Sequence, residues 1–207
     1  MTQQEYIERE SRYGAHNYHP LPVVLQRGKG IFVWDTDGKK YFDFLSAYSA
    51  VNQGHCHHKI VGAVCEQAGK LALTSRAFHN DVLGQWEEYV TRFFGYDKVL
   101  PMNTGAEADE TALKLCRKWA YLKKGIKDGM AKIIVCDGNF HGRTITIVSM
   151  SADPEAYRDY GPYTPGFVKI PYNDIPALER ALEDPDVAGF LVERLQGEAG
   201  VYVPDEG

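Results

Sequence analysis

Three short stretches of the chain combine residue types that can hold anions, flat rings and carboxylates. In "MNTGAEADETALK", residues 102–114, Gly105 and Ala106 are small enough for an oxyanion to approach their amides at the positive end of a helix dipole. Thr104 and Glu107 also form the S/T-x-x-E pattern of a capping box, which satisfies such amides internally, so the stretch reads equally as a well-capped helix start. Asp109 and Glu110 suit the same dipole, but their charge opposes an incoming phosphate. In "DGNFHGRT", residues 137–144, Phe140 can stack on a flat ring and the planar guanidinium of Arg143 can grip a carboxylate by two parallel hydrogen bonds. Gly138 and Gly142 let the backbone bend around a ligand; a core Phe beside a surface Arg is the plainer alternative. "LVERLQGEAG" places Glu193 on a strand and Gln196 and Glu198 at its end, where the two carboxylates neutralise a cation or are simply solvated.

Two further clusters carry less. "GHCHH", residues 54–58, sets four potential metal ligands in a row, but neighbours in one segment do not surround a tetrahedral ion and no matching Cys or His group lies elsewhere. Metal binding is therefore not expected. Tyr18 in "HNYHPLP" and Tyr48 in "LSAYSAVNQGH" sit among turn residues, where a tyrosine usually packs with its hydroxyl at the surface.

The elements that must position these residues follow from hydrophobic spacing. "GIFVWDTDGKKYFDF" alternates apolar and polar residues on both sides of Asp37-Gly38 and predicts an antiparallel hairpin. Residues 59–73 and 82–94 carry apolar side chains at helical spacing. Beyond residue 98, "KVLPMNTG" predicts a short strand running into a helix that continues to about Lys124, and "AKIIVC" a buried strand. "GFVKIPYND" predicts a strand followed by a helix that Asp174 caps, and "VAGFLV" a further strand. Strands alternating with helices predict an α/β fold with a parallel sheet covered on both faces, whose ligands gather at the carboxyl ends of the strands.

The chain of 207 residues is 44% hydrophobic and carries a net charge of -5, without a block of Lys and Arg. That balance argues against nucleic acid or an anionic membrane as a partner and leaves small acidic or zwitterionic ligands. No apolar run has the length of a membrane span, and the acidic "MTQQEYIERE" lacks a signal core, which points to a cytoplasmic protein. Cys56, Cys65, Cys116 and Cys136 show no CxxC spacing and read as reduced thiols.

Together, "GAHNYHPLPVV", "YFDFLSAYSAVNQGHCH", "SRAFHND", "VLPMNTGAEADETALKLCRKW", "GNFHGRT" and "LQGEAG" resemble, in order, the class III, fold-type I, pyridoxal-phosphate aminotransferases. The resemblance runs from about residue 5 to the last residue, and the two Tyr-bearing stretches point to members acting on ornithine. It implies that Gly105 and Ala106 give amides to the phosphate of pyridoxal 5'-phosphate, that Phe140 stacks on its ring, and that Arg143 binds the substrate α-carboxylate. It further implies that Tyr18 and Tyr48 line the ornithine pocket, and that Glu198 masks an arginine outside this sequence while the δ-amino group reacts. The implied reaction moves that amino group from ornithine to 2-oxoglutarate, in a homodimer or higher homo-oligomer. Acetylornithine and 4-aminobutyrate aminotransferases are the alternatives within the family.

The resemblance also implies an N-terminal segment and small-domain part over 1–75, with the hairpin, and an incomplete PLP-binding large domain over 76–207. The family's Schiff-base lysine has no counterpart here, so no catalytic residue is assigned and the chain alone is expected not to transaminate; a non-catalytic fragment is the reading from a different class. Arg194 stands where the family has a proline, and so does His58.

Overall fold

Central to the second half of the chain is a strand with no polar face. In this computed structural model, which describes residues 1–206, β4 (Lys132–Cys136) buries Ile133, Ile134, Val135 and Cys136 together. Alternate side chains of a strand point to opposite faces, so such a run needs cover on both. One face takes Ile133 and Val135 against Leu113 of α4 (Gly105–Trp119) and Ile147 and Met150 of α5 (Ile145–Met150). The other takes Ile134 and Cys136 against Ala177, Leu178 and Ala181 of α7 (Ile175–Leu182). Each fully buried aliphatic side chain here contributes about 1.5–3 kcal/mol. Burial also pushes the Cys136 thiol pKa up.

β4 pairs in parallel with β5 (Phe167–Ile170) on one side and β6 (Val187–Leu191) on the other, in the order β5-β4-β6. The parallel sheet between helices is the α/β arrangement expected from the sequence. Asp174 caps α7 as expected, its Oδ1 accepting from the Ala177 amide at 2.8 Å. α4 runs on into a wide turn over Ala120–Lys124, which Gly125 closes at φ 82°. The strand expected in "KVLPMNTG" does not form: residues 98–103 pair with no strand, and Pro101 offers no N–H to a ladder. The short helices α5 and α6 (Pro154–Tyr157) were not anticipated. "ITIVSM" is rich in β-branched residues, and tertiary burial of Ile147, Val148 and Met150 overrides that preference.

By its contacts the chain divides into two compact units, the first spanning Met1–Glu88 and the second beginning at Tyr89. The first contains α1 (Gln3–Tyr13), which the hydrophobic pattern did not reveal although Thr2 and Glu5 form a complete capping box. It also holds the antiparallel sheet of β1 (Leu25–Lys29), β2 (Phe32–Asp35) and β3 (Lys40–Phe42). The expected hairpin is β2–β3. Its turn is organised by buried Asp35, which accepts from the Asp37 and Lys39 amides and from the Tyr41 hydroxyl at 2.7 Å. That hydroxyl contributes most to holding the Asp35 carboxyl below the usual range. α2 (His58–Lys70) lies wholly in this unit, whereas α3 (Leu83–Phe94) carries the unit boundary; both are amphipathic as expected, and neither has a fully buried residue. His58, at the proline position of the resemblance, opens α2, where a proline is also favoured.

Four successive non-glycine residues of the first unit, Ser46, Ala47, Tyr48 and Ser49, have φ of 49°, 48°, 55° and 69°. Each left-handed residue of this kind costs about 1–2 kcal/mol, so the turn persists only because its surroundings fix it.

Candidate functional site

The first turn of α4 is not capped as its sequence suggests. Thr104 Oγ1 accepts from the Glu107 amide at 3.1 Å, but the Glu107 carboxylate accepts from the Asn103 amide at 2.8 Å instead of closing back on Thr104. The expected capping box is only half made. Among the described residues the Gly105 and Ala106 amides have no hydrogen-bond partner, so two donors stand open at the positive end of a 15-residue helix.

The acids expected to oppose an anion are engaged elsewhere. Glu110 Oε1 accepts from Thr144 Oγ1 at 2.5 Å, and Asp109 Oδ2 lies 3.6 Å from His141 Nδ1. Burial holds the Asp109 carboxyl above the usual range; Glu193 adds to that by repulsion, and His141 offsets part of it. Both contacts bind α4 to the loop that follows β4.

That loop is shaped by one glycine and one buried amide. Asn139 is buried and donates to the carbonyls of Cys136 and Met150 at 2.6 and 3.0 Å, tying the end of β4 to the end of α5. Gly142 has φ 124°, and a Cβ added there would lie 3.0 Å from the Ala106 Cβ. Only glycine lets the loop pass this close to the start of α4 in that conformation. Between them, the Phe140 amide donates to Glu193 Oε1 at 2.6 Å, and the Arg143 guanidinium carbon lies 6.0 Å from the Phe140 ring centre.

The third loop closes the arrangement from the β6 side. Gln196 is buried and its Nε2 donates to the Asp137 carbonyl at 2.7 Å. Its backbone pairs with Tyr202 through bonds of 3.1 and 2.9 Å, so residues 197–201 form a tight loop with Glu198 exposed on it. Arg194 is exposed, and its carbonyl accepts from the Tyr172 hydroxyl at 2.9 Å.

Of the residues singled out from the sequence, Gly105, Ala106, Phe140 and Arg143 lie on two segments joined by three direct contacts, with Glu193 bonded to the same loop. Glu198 is carried by the third loop. Tyr18 and Tyr48 belong to the first unit, where both are exposed. The histidines of "GHCHH" do not act together: His55 bonds Asp43, while His57 and His58 stack on each other. No group of three or more His, Cys, Asp or Glu among the described residues is placed to hold a metal ion. The Asp109–His141, Glu110–Thr144 and Gln196–Asp137 contacts were missed, because each joins residues at least 32 positions apart and leaves no local pattern.

A family model for class-III aminotransferases matches residues 13–207. The chain belongs to the class-III aminotransferases. It is 66% identical over 204 residues to the mitochondrial ornithine aminotransferase of Rattus norvegicus, covering 98% of this chain and 46% of that protein. Two crystal structures of the Toxoplasma gondii ornithine aminotransferase superpose with TM-scores of 0.97 and 0.95 at 50% identity, covering 100% and 99% of this chain and 49% and 48% of theirs. The second is described as having partial occupancy of PLP at its active site. The acetylornithine aminotransferase of Elizabethkingia anophelis, 58% identical, superposes with a TM-score of 0.85 over 100% of this chain and 48% of that one.

This class-III aminotransferase chain thus spans about half the length of the curated relatives it matches. These structural neighbours are fold-type I aminotransferases, in agreement with the fold-type I resemblance of the sequence. No helix among the described residues is long and apolar enough to cross a membrane.

Proposed function

We propose that the protein carrying this chain is an ornithine δ-aminotransferase, which converts ornithine and 2-oxoglutarate to glutamate semialdehyde and glutamate. The observation that carries the reading is the meeting of the open Gly105–Ala106 amides with the loop of Phe140 and Arg143, in a chain 66% identical to an ornithine aminotransferase. The amide pair suits the phosphate of pyridoxal 5'-phosphate, a dianion that a bare helix start attracts. Phe140 would stack on the cofactor ring, and Arg143 would hold the α-carboxylate through a bidentate pair. When bound, the cofactor supplies the electron sink for breaking bonds at the amine-bearing carbon. Tyr18 and Tyr48 would line the ornithine pocket. Glu198, exposed on its loop, would pair with an arginine outside this sequence while ornithine is bound and release it for glutamate or 2-oxoglutarate.

In this reading the protein is a homodimer or larger homo-oligomer, supported by strongly exposed apolar residues such as Leu21 and Phe44 in the first unit. Its four cysteines are free, which suits a reducing compartment, and we take that to be the cytoplasm. Cell fractionation decides between that and the mitochondrial location in the rat relative's name.

A second reading, acetylornithine aminotransferase, is favoured by the 58% identity to the Elizabethkingia enzyme. The test is a substrate panel on the protein expressed from its complete reading frame with pyridoxal phosphate: ornithine, N-acetylornithine and 4-aminobutyrate, each against 2-oxoglutarate. The expected result is the highest kcat/KM for ornithine, with Tyr18→Phe raising its KM. A preference for N-acetylornithine, with Tyr18→Phe silent, establishes the second reading, and no turnover of any of the three sinks both.

A further inference from the structure

Tyr48 sits in the run of left-handed residues, and that run is held by a single carboxylate. Asp43 Oδ1 accepts from the amides of Leu45 and Ser46 at 3.0 and 2.8 Å, and Asp43 Oδ2 meets His55 Nε2 at 2.6 Å. The turn itself closes through Ser49 N–H to Leu45 O and Val51 N–H to Ser46 O, at 3.3 and 2.9 Å. It has no glycine of its own to make such a conformation easy, so its geometry must be imposed from outside.

Both members of the pair are fixed to the antiparallel sheet. The Asp43 amide donates to the Ile31 carbonyl at 2.9 Å, just beyond the end of β3. His55 exchanges two backbone hydrogen bonds with Gly30, at 2.9 and 2.8 Å. Its ring lies directly on Gly28, where an added Cβ would come within 2.7 Å of His55 Cγ. The contact between Asp43 and His55 therefore closes the neck of the loop running from Phe44 to Gly54, with Tyr48 74% exposed within it. The His55 contact, followed by the Ser46 amide, holds the Asp43 carboxyl below the usual range, so it is charged at neutral pH and each bond it accepts is charge-assisted.

We propose that Asp43 and His55 are positioning residues for amine-donor selection: they fix the left-handed turn that presets Tyr48 for the amine substrate. The inference rests on the reading of Tyr48 as a wall of the substrate pocket. A preset ring needs no ordering when substrate binds, so the pair acts on affinity for the amine and not on the chemical step.

The experiment uses the protein expressed from its complete reading frame, with whichever amine donor the wild type prefers. Asp43→Ala is expected to raise KM for the amine about tenfold, a shift worth about 1.4 kcal/mol, while kcat and KM for 2-oxoglutarate stay within about twofold. Asp43→Asn keeps an oxygen for the Leu45 and Ser46 amides and a donor for His55, and is expected to restore most of the loss. Asp43→Ala combined with Tyr48→Phe is expected to be no worse than the more severe single variant, because both act through one ring. Additive effects, or a parallel loss in both substrates and in kcat, overturn the proposal. Hydrogen–deuterium exchange supplies a readout that does not need turnover: Asp43→Ala is expected to lose protection at residues 45–51 alone. Unchanged exchange there overturns the proposal even if the enzyme is active. Absence of any amine turnover with the expected exchange change would instead fault the functional reading and leave the positioning of the turn supported.

Discussion

His141 Nδ1 lies 3.6 Å from Asp109 Oδ2, and these two side chains tie the loop after β4 to the second turn of α4. The contact joins the segment that carries Phe140 and Arg143 to the helix that carries Gly105 and Ala106. Partial burial raises the Asp109 carboxyl, Glu193 adds to that by repulsion, and the His141 contact offsets part of it.

Because the folded Asp109 carboxyl lies above its ordinary value, the folded state holds that proton more tightly than the unfolded chain. Stability from this group therefore falls as pH rises from the usual aspartate range through the raised value. Asp109→Asn is expected to melt at a higher temperature than wild type at neutral pH and to converge with it below about pH 4. A variant that loses more stability at neutral pH than in acid would show that the carboxylate form is needed for packing.

Lys132 Nζ and Asp184 Oδ2, 2.7 Å apart, give the opposite dependence. The bond to Lys132 is the largest influence lowering the Asp184 carboxyl, and the same bond raises Lys132. The acid's contribution is present above the usual carboxylate range and lost as pH falls through its lowered value, while the lysine's is lost only as pH rises through its raised one. Asp184→Asn is expected to lower the urea midpoint slightly at neutral pH, since both groups are a third exposed, and the gap should close in acid. A gap that persists at pH 2 would rule this account out.

Gly142→Ala forces a Cβ to within 3.0 Å of Ala106 at a φ of 124°. Moving the loop off the start of α4 is expected to cost about 1–3 kcal/mol of stability. It should also weaken pyridoxal-phosphate binding, read by titrating the cofactor into the protein. Unaltered affinity in a folded variant would separate the loop from the phosphate site.

Asn139→Ala removes the donor to both the Cys136 and Met150 carbonyls. At about 1–3 kcal/mol for each of the two buried acceptors left open, the expected loss is about 2–6 kcal/mol in chemical denaturation. A loss well under 1 kcal/mol would mean that water replaces the amide.

Arg143→Lys keeps the charge but not the planar fork. If Arg143 holds the α-carboxylate, kcat/KM for the amino acid should fall roughly ten- to hundredfold, the worth of one charge-assisted hydrogen bond. A change under twofold would exclude that role.

Much of the second unit could be read from local pattern. "KIIVC" is apolar on both faces and became the central strand, and Asp174 precedes its helix at the position where a cap must sit. "ITIVSM" carried no helix signal, because its β-branched residues favour a strand and only burial against β4 decides for a helix. At the site, the residue types were legible and their partners were not. Glu193 is 53 positions from the Phe140 amide it accepts, and Glu107 turned to Asn103 where a capping box pattern had it closing on Thr104. The same limit hid the Asp43–His55 pair, since nothing in "DFLSAYSAVNQGH" announces four left-handed residues in succession.

The order β5-β4-β6 sets a schedule for synthesis. β4 leaves the ribosome first, yet Ile133 waits for Phe167 on one side and for Gly189 on the other. For the whole of that interval the most apolar strand of the unit is a nascent segment without a ladder. Pairing this distant in sequence is slow, and an unpaired apolar strand is the kind of segment a chaperone binds.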